Sequence, residues 1–183
     1  MFIEMKVAGI ILDPSNNVPV LILKDRDERH TVPIWIGIVE ASAIATELEK
    51  TEMPRPMTHD LLRNILRELS VTVERIEVTD LRDNTFFAAI HLRTTGGARV
   101  IDSRPSDAIA LALRVSAPIF VEERVISRLG SAEEDEEASK AGKESRSSPV
   151  FISNLTPEDK FDKAKWAEFL ESLDPEDFGK YKM

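Results

Sequence analysis

Cysteine is absent from the 183 residues. Disulfides, thiolate metal sites and cysteine nucleophiles are therefore excluded, and a cytoplasmic setting is the expectation. Glycine is scarce, at 7 residues. No glycine-rich phosphate loop, dinucleotide fingerprint, H-E-x-x-H or G-x-S-x-G pattern occurs. The usual nucleotide-binding folds and the serine hydrolases are thereby disfavoured, and no organic cofactor is expected. No apolar run approaches the roughly 20 residues of a membrane span. The opening residues 1–12 lack the basic start of a secretory leader and alternate like a first strand, so no membrane partner is expected. Positive charge is also short. The net charge is −9, with 16 basic and 19 acidic side chains in residues 1–130 against 8 and 14 in residues 131–183. That balance suits a general nucleic-acid binder poorly, since such proteins carry a basic footprint. It leaves room for an enzyme that touches a few phosphates.

What is present is an ordinary globular composition, 42% hydrophobic and 31% charged, long enough for one domain with a core and an appendage. Strands are expected over 1–12, 18–23 and 31–36, with the turn Asp13-Pro14-Ser15-Asn16-Asn17 after the first. A helix follows Gly37, over about 39–49, with Ala41, Ile44, Ala45 and Leu48 as its apolar stripe. Met53-Pro54-Arg55-Pro56 breaks it. Thr58 is placed to cap a second helix, on which Leu61, Leu62, Ile65, Leu66 and Leu69 stand at helical spacing. Residues 71–79 alternate imperfectly, which predicts a strand with a bulge or bend. Asp83-Asn84 turns into a strand over 85–94, and Gly96-Gly97 is a hairpin turn into 98–102. A third helix is expected over 105–115, with Pro105 at its first position, then a short strand over 119–121. The order favours an α+β domain with a mixed, largely antiparallel sheet and about three helices.

Three segments divide the chain. Residues 1–130 form the domain. Residues 131–149 hold almost no bulky apolar side chain and read as an acidic flexible linker. Residues 150–183 read as a helical tail, with Thr156-Pro157-Glu158-Asp159 as a helix start. Phe161, Trp166, Phe169, Leu170 and Leu173 then give that helix an aromatic face. A face so apolar is expected to dock on its own domain, a dimer mate or another protein.

Polar side chains collect at three expected helix starts. Arg104, Ser106 and Asp107 lie where the strand ending Ile101-Asp102-Ser103 meets the Pro105 helix. Free backbone N–H groups and the positive end of the helix dipole gather there. Arg104 offers a rigid fork for phosphate or carboxylate, and Asp107 is a metal ligand, a base or a cap. His59 and Asp60 lie at the second start. His59 is the best general acid/base, because imidazole exchanges protons near neutrality, and Asp60 is placed to orient it or to help hold a cation. Glu40 opens the first helix among small side chains. Each group also has a bland reading, since acids and hydroxyls at helix starts commonly just cap. His30, beside a charged loop, and His91, inside a strand, read as structural or solvated.

Taken in series, Val32-Pro33-Ile34-Trp35-Ile36-Gly37-Ile38-Val39-Glu40-Ala41, Arg55-Pro56-Met57-Thr58-His59-Asp60-Leu61-Leu62 and Ile101 to Ala112 resemble the bacterial and plant bifunctional nuclease domain family. The resemblance covers residues 1–130. It implies an α+β fold, a tendency to dimerise, and cleavage of phosphodiester bonds in RNA and DNA. It puts the family's polar positions on Glu40, His59, Asp60, Arg104, Ser106 and Asp107.

A mechanism consistent with these residues sets all three helix starts around one cleft. Arg104 binds the scissile phosphate, aided by N–H groups of the Pro105 helix. Glu40, Asp60 and Asp107 hold Mg²⁺ or Mn²⁺, and His59 moves a proton. The competing expectation is a non-enzymatic regulatory module that binds an anionic ligand in the same cleft.

Overall fold

The computed structural model describes residues 1–129, so the expected acidic linker and aromatic tail helix lie outside the described residues. Seven strands and four helical stretches follow one another. They are β1 (Phe2–Leu12), β2 (Pro19–Asp25), β3 (Thr31–Trp35), α1 (Ile38–Leu48), α2 (Thr58–Glu68), β4 (Thr72–Arg82), β5 (Thr85–Thr94), β6 (Gly97–Ser103), α3 (Pro105–Val115), β7 (Ile119–Glu122) and α4 (123–129). The strands form one sheet in the order β3-β2-β1-β7-β4-β5-β6. Two antiparallel meanders, β1–β3 and β4–β6, are joined by the last strand, which pairs antiparallel with β1 and parallel with β4. The β4–β7 pair is the sheet's one parallel contact, so the α+β fold with a mixed, largely antiparallel sheet is as the sequence predicts.

Local chemistry sets these elements. On β1, Ile3, Met5 and Val7 turn inward while Glu4 and Lys6 are exposed, the period-two pattern of a half-buried strand. On β2, Val20, Leu21, Ile22 and Leu23 are all buried, so that strand is covered on both faces. The expected irregularity of β4 appears as register shifts between Val73 and Arg75 and between Val78 and Asp80. Asp83 and Asn84 both take positive φ (48° and 57°), the twist that a two-residue hairpin requires. At the next hairpin the turn is Thr95-Gly96, one residue earlier than expected. Gly97, at φ +106°, is already the first residue of β6.

Helix α3 is the hub. Ala108, Ile109, Ala110, Leu111 and Ala112 are all buried, which is why its sequence is apolar nearly all round. It packs on β4 and β5, with α1 and α2 against it. The second helix departs from expectation twice. Its N-cap is Met57, with Thr58 already helical, and the carboxylate of Asp60 reaches back to accept the Met57 N–H at 3.0 Å. Its apolar stripe also faces away from the protein: none of its residues is buried, and only Leu66 joins the core's edge.

Candidate active site

Three helix starts meet in space. Helix α1 begins after Gly37 and α3 after Arg104, neither with a side-chain cap from its N-cap residue. Across these starts runs an unbroken chain of four side chains. Glu40 Oε1 accepts from Arg104 Nη1 at 2.7 Å. Arg104 Nε donates to Asp107 Oδ2 at 2.7 Å. Asp107 Oδ1 meets His59 Nε2 at 3.1 Å. The contacts join α1, α3 and α2, so the fold places in one row residues that are 64 and 48 positions apart in sequence.

The electrostatics follow from that row. The hydrogen bond from His59, together with the Arg104 guanidinium, holds the Asp107 carboxyl down at about 2 against the opposite pull of burial. Asp107 is thus a carboxylate at any working pH and can only accept. The proton between it and His59 therefore belongs to Nε2, which leaves Nδ1 of a neutral ring as the acceptor. The bond to Asp107, then the one to Glu40, raises the Arg104 guanidinium above its ordinary value. Its side chain is nonetheless 63% exposed, and only Nε and Nη1 are engaged, so Nη2 is open to a ligand.

Two of the six expected residues stand outside the row. Asp60, proposed as a partner for His59, points instead to Arg114 Nε at 2.8 Å. Burial pushes its carboxyl up, but the Arg114 bond and charge and the Met57 N–H outweigh that and leave it lowered. Ser106 is buried at the start of α3. Two other residues emerge that the sequence reading passed over. Arg114 has a side chain only 1% exposed and also donates to the carbonyls of Ala110 (2.9 Å) and Ala43 (3.0 Å), tying α1, α2 and α3 together. Its signal was a lone cation on an Ala/Ile/Leu helix. Gly37 is the second. A Cβ there would lie 2.2 Å from Glu40 Oε2 and 3.2 Å from its Cδ, so the glycine makes room for the carboxylate to fold back toward Arg104. Gly37→Ala should release Glu40 from Arg104 at a stability cost within about 1 kcal/mol, the scale of an N-cap change. A crystal structure of the variant with the 2.7 Å Glu40–Arg104 contact intact would refute this.

The other two histidines are held by carboxylates away from the row. His30 Nδ1 lies 2.8 Å from Asp25 and His91 Nε2 lies 2.8 Å from Glu77. Among the described residues no group of three or more His, Asp or Glu is arranged to share a metal ion. The carboxylates expected to hold Mg²⁺ or Mn²⁺ do not fit that task as they stand. Glu40 and Asp107 share Arg104, and Asp60 is committed to Arg114. No described helix is long and apolar enough to cross a membrane.

Comparison with known proteins shows the family. The family model described as "Bifunctional nuclease domain" matches residues 21–134. An uncharacterized protein of Mycobacterium tuberculosis is 38% identical over 178 residues, covering 96% of this chain and 97% of that one. Bifunctional nuclease 1 of Oryza sativa is 23% identical over 126 residues, 61% of this chain but 38% of the rice protein. Bifunctional nuclease 1 of Arabidopsis thaliana is 26% identical over 107 residues, 56% of this chain and 33% of that protein.

Proposed function

Because the chain belongs to the bifunctional nuclease domain family, we propose that it hydrolyses phosphodiester bonds of RNA and DNA at the Glu40–Arg104–Asp107–His59 row. The observation that carries this reading is the row itself: an oriented imidazole beside an exposed guanidinium at two helix starts whose N-cap residues give no side-chain cap. Phosphoryl transfer needs an anion anchor and a proton carrier within reach of one phosphorus.

In this reading Arg104 Nη2 and the first N–H groups of α3 bind a non-bridging phosphate oxygen. Nδ1 of His59 takes a proton from water as its oxygen attacks phosphorus. The bond from phosphorus to the leaving oxygen breaks, and the imidazolium returns the proton to that oxygen. Water rather than a ribose 2′-hydroxyl is the nucleophile, since DNA has none. Asp107 fixes the ring and stabilises its charged form, as a carboxylate does beside a catalytic imidazole. Glu40 holds Arg104 in place without touching substrate.

The test is cleavage of single-stranded RNA and DNA by the purified full chain. Activity must co-elute with the protein and vanish in Asp107→Asn, whose amide no longer enforces the Nε2 proton. Activity that survives Asp107→Asn would sink the reading and favour a module that binds an anionic ligand at Arg104. Chelation decides the role of Mg²⁺ or Mn²⁺. Cleavage that persists in excess EDTA belongs to the row alone. Cleavage lost in EDTA and restored by either ion would mean that the row alone does not account for the reaction. The reading also carries a homodimer in a cytoplasmic setting. Sedimentation velocity on the full chain tests the first, and a purely monomeric boundary at micromolar concentration would remove it.

A further inference from the structure

Helix α2 carries its amphipathicity inside out. His59, Asp60, Arg63 and Asn64 turn toward the protein, while Leu61, Leu62, Ile65 and Leu69 are 54%, 39%, 46% and 66% exposed. The exposed set falls at i, i+1, i+4 and i+8, one continuous stripe along the helix. Met57 extends it, 50% exposed. A contiguous apolar surface rimmed by charge marks a contact site. The exposed charges on or beside this helix are of both signs, Arg55, Arg67 and Glu68.

The chain itself holds a segment of matching chemistry. Past residue 129, Phe161, Trp166, Phe169, Leu170 and Leu173 recur at helical spacing, among Lys160, Lys163 and Lys165 as well as Asp162, Glu168, Glu171 and Asp174. The reach is sufficient. Strand β4, 11 residues long, leads from the C-terminal end of α2 to Asp80, where Arg128 of α4 is fixed at 2.5 Å. From Thr72 to Asp80 that path is about 26 Å at 3.3 Å per residue. At full extension a stretch as long as residues 130–160 would reach roughly 100 Å. The match to the Mycobacterium tuberculosis protein covers 96% of this chain, so it continues beyond the family domain's end at residue 134.

We propose that residues 161–173 of the same chain dock on α2, laying Trp166, Phe169, Leu170 and Leu173 on Leu61, Leu62, Ile65 and Leu69. A second copy is the poorer occupant. It would compete with a segment tethered at an effective concentration of about millimolar. The proposal does not depend on the nuclease reading.

The lack of cysteine makes the test clean. Full-length protein carrying Ile65→Cys and Leu170→Cys is oxidised at micromolar concentration and run on non-reducing gels. An intrachain disulfide is expected to form at least about tenfold faster than in a Val100→Cys/Leu170→Cys control, because docking raises local concentration. Equal rates for the two pairs would overturn the proposal. So would covalent dimers from Ile65→Cys alone, which would assign the face to a second copy. As a separate readout, Leu62→Asp/Ile65→Asp in the full chain should shift Trp166 emission to the red, with Trp35 held by Asp13 in both proteins. Unchanged emission would likewise overturn it.

Discussion

Replacing His59 with Ala should lower cleavage of single-stranded RNA about 100-fold while leaving the fold intact, the low end of what a positioned acid/base contributes. The side chain is 13% exposed and its one hydrogen bond is to Asp107. Losing that bond costs about 1 kcal/mol of stability, since Arg104 still pairs with Asp107 at 2.7 Å. Rate and stability are thus expected to separate, and comparing turnover with the denaturation midpoint checks this. Arg104→Lys is a useful companion. A lysine can supply charge to the phosphate but cannot bond Glu40 and Asp107 while keeping a further N–H free, so the fork and not the charge would be lost. An unchanged rate in a folded His59→Ala protein would end the proposal that the row is catalytic.

The acid side of the pH profile follows from Asp107. Its carboxyl sits at about 2, below its usual 3.8, because the folded state favours the charged form. The stability it contributes is therefore fully present above the usual carboxylate range and is lost as pH falls from there through about 2. Between pH 4 and 7 Asp107 stays charged. A fall in rate across that window is then not expected to come from Asp107, and Asp107→Asn should abolish cleavage throughout it.

The same geometry explains which parts of the site could be read from sequence. Helix α3 was legible to the residue, because Pro105 fixes its first turn and the apolar run ends at Val115. The partner of His59 was not. Asp60 is adjacent in sequence, but neighbours on a helix point about 100° apart, so one of them faces Asp107 while the other reaches Arg114. Pattern also placed Leu61, Leu62, Ile65 and Leu69 on one face without saying which way that face turns. Periodicity reports a stripe, and only tertiary contacts decide what covers it. On α2 the polar stripe won the inner position because His59 and Asp60 both find buried or half-buried charged partners there.

Arg114→Ala should be the most damaging single change to stability in the described domain, about 3–5 kcal/mol, the usual cost of breaking a buried ion pair from one side. The guanidinium is 1% exposed and makes bonds to Asp60, Ala110 and Ala43. Alanine leaves two carbonyls and a carboxylate without those donors and a void where the side chain packed. Urea unfolding at pH 7 measures the loss. The pH dependence distinguishes this cause from simple cavity formation. The Asp60 carboxyl is lowered in the folded state, so its contribution is present above the ordinary carboxylate range and fades as pH falls below it. The deficit of the Arg114→Ala protein should therefore shrink at acid pH, where Asp60 is neutral and no longer needs a cation. A deficit that is constant with pH would mean that packing, not charge, was lost. Arg114→Met, which refills the space, combined with Asp60→Asn, which removes the charge, should recover much of the stability. That double variant also tests the site. With the α2 start no longer tied to α3, His59 would lose its alignment with Asp107, and activity should fall even where the fold is restored.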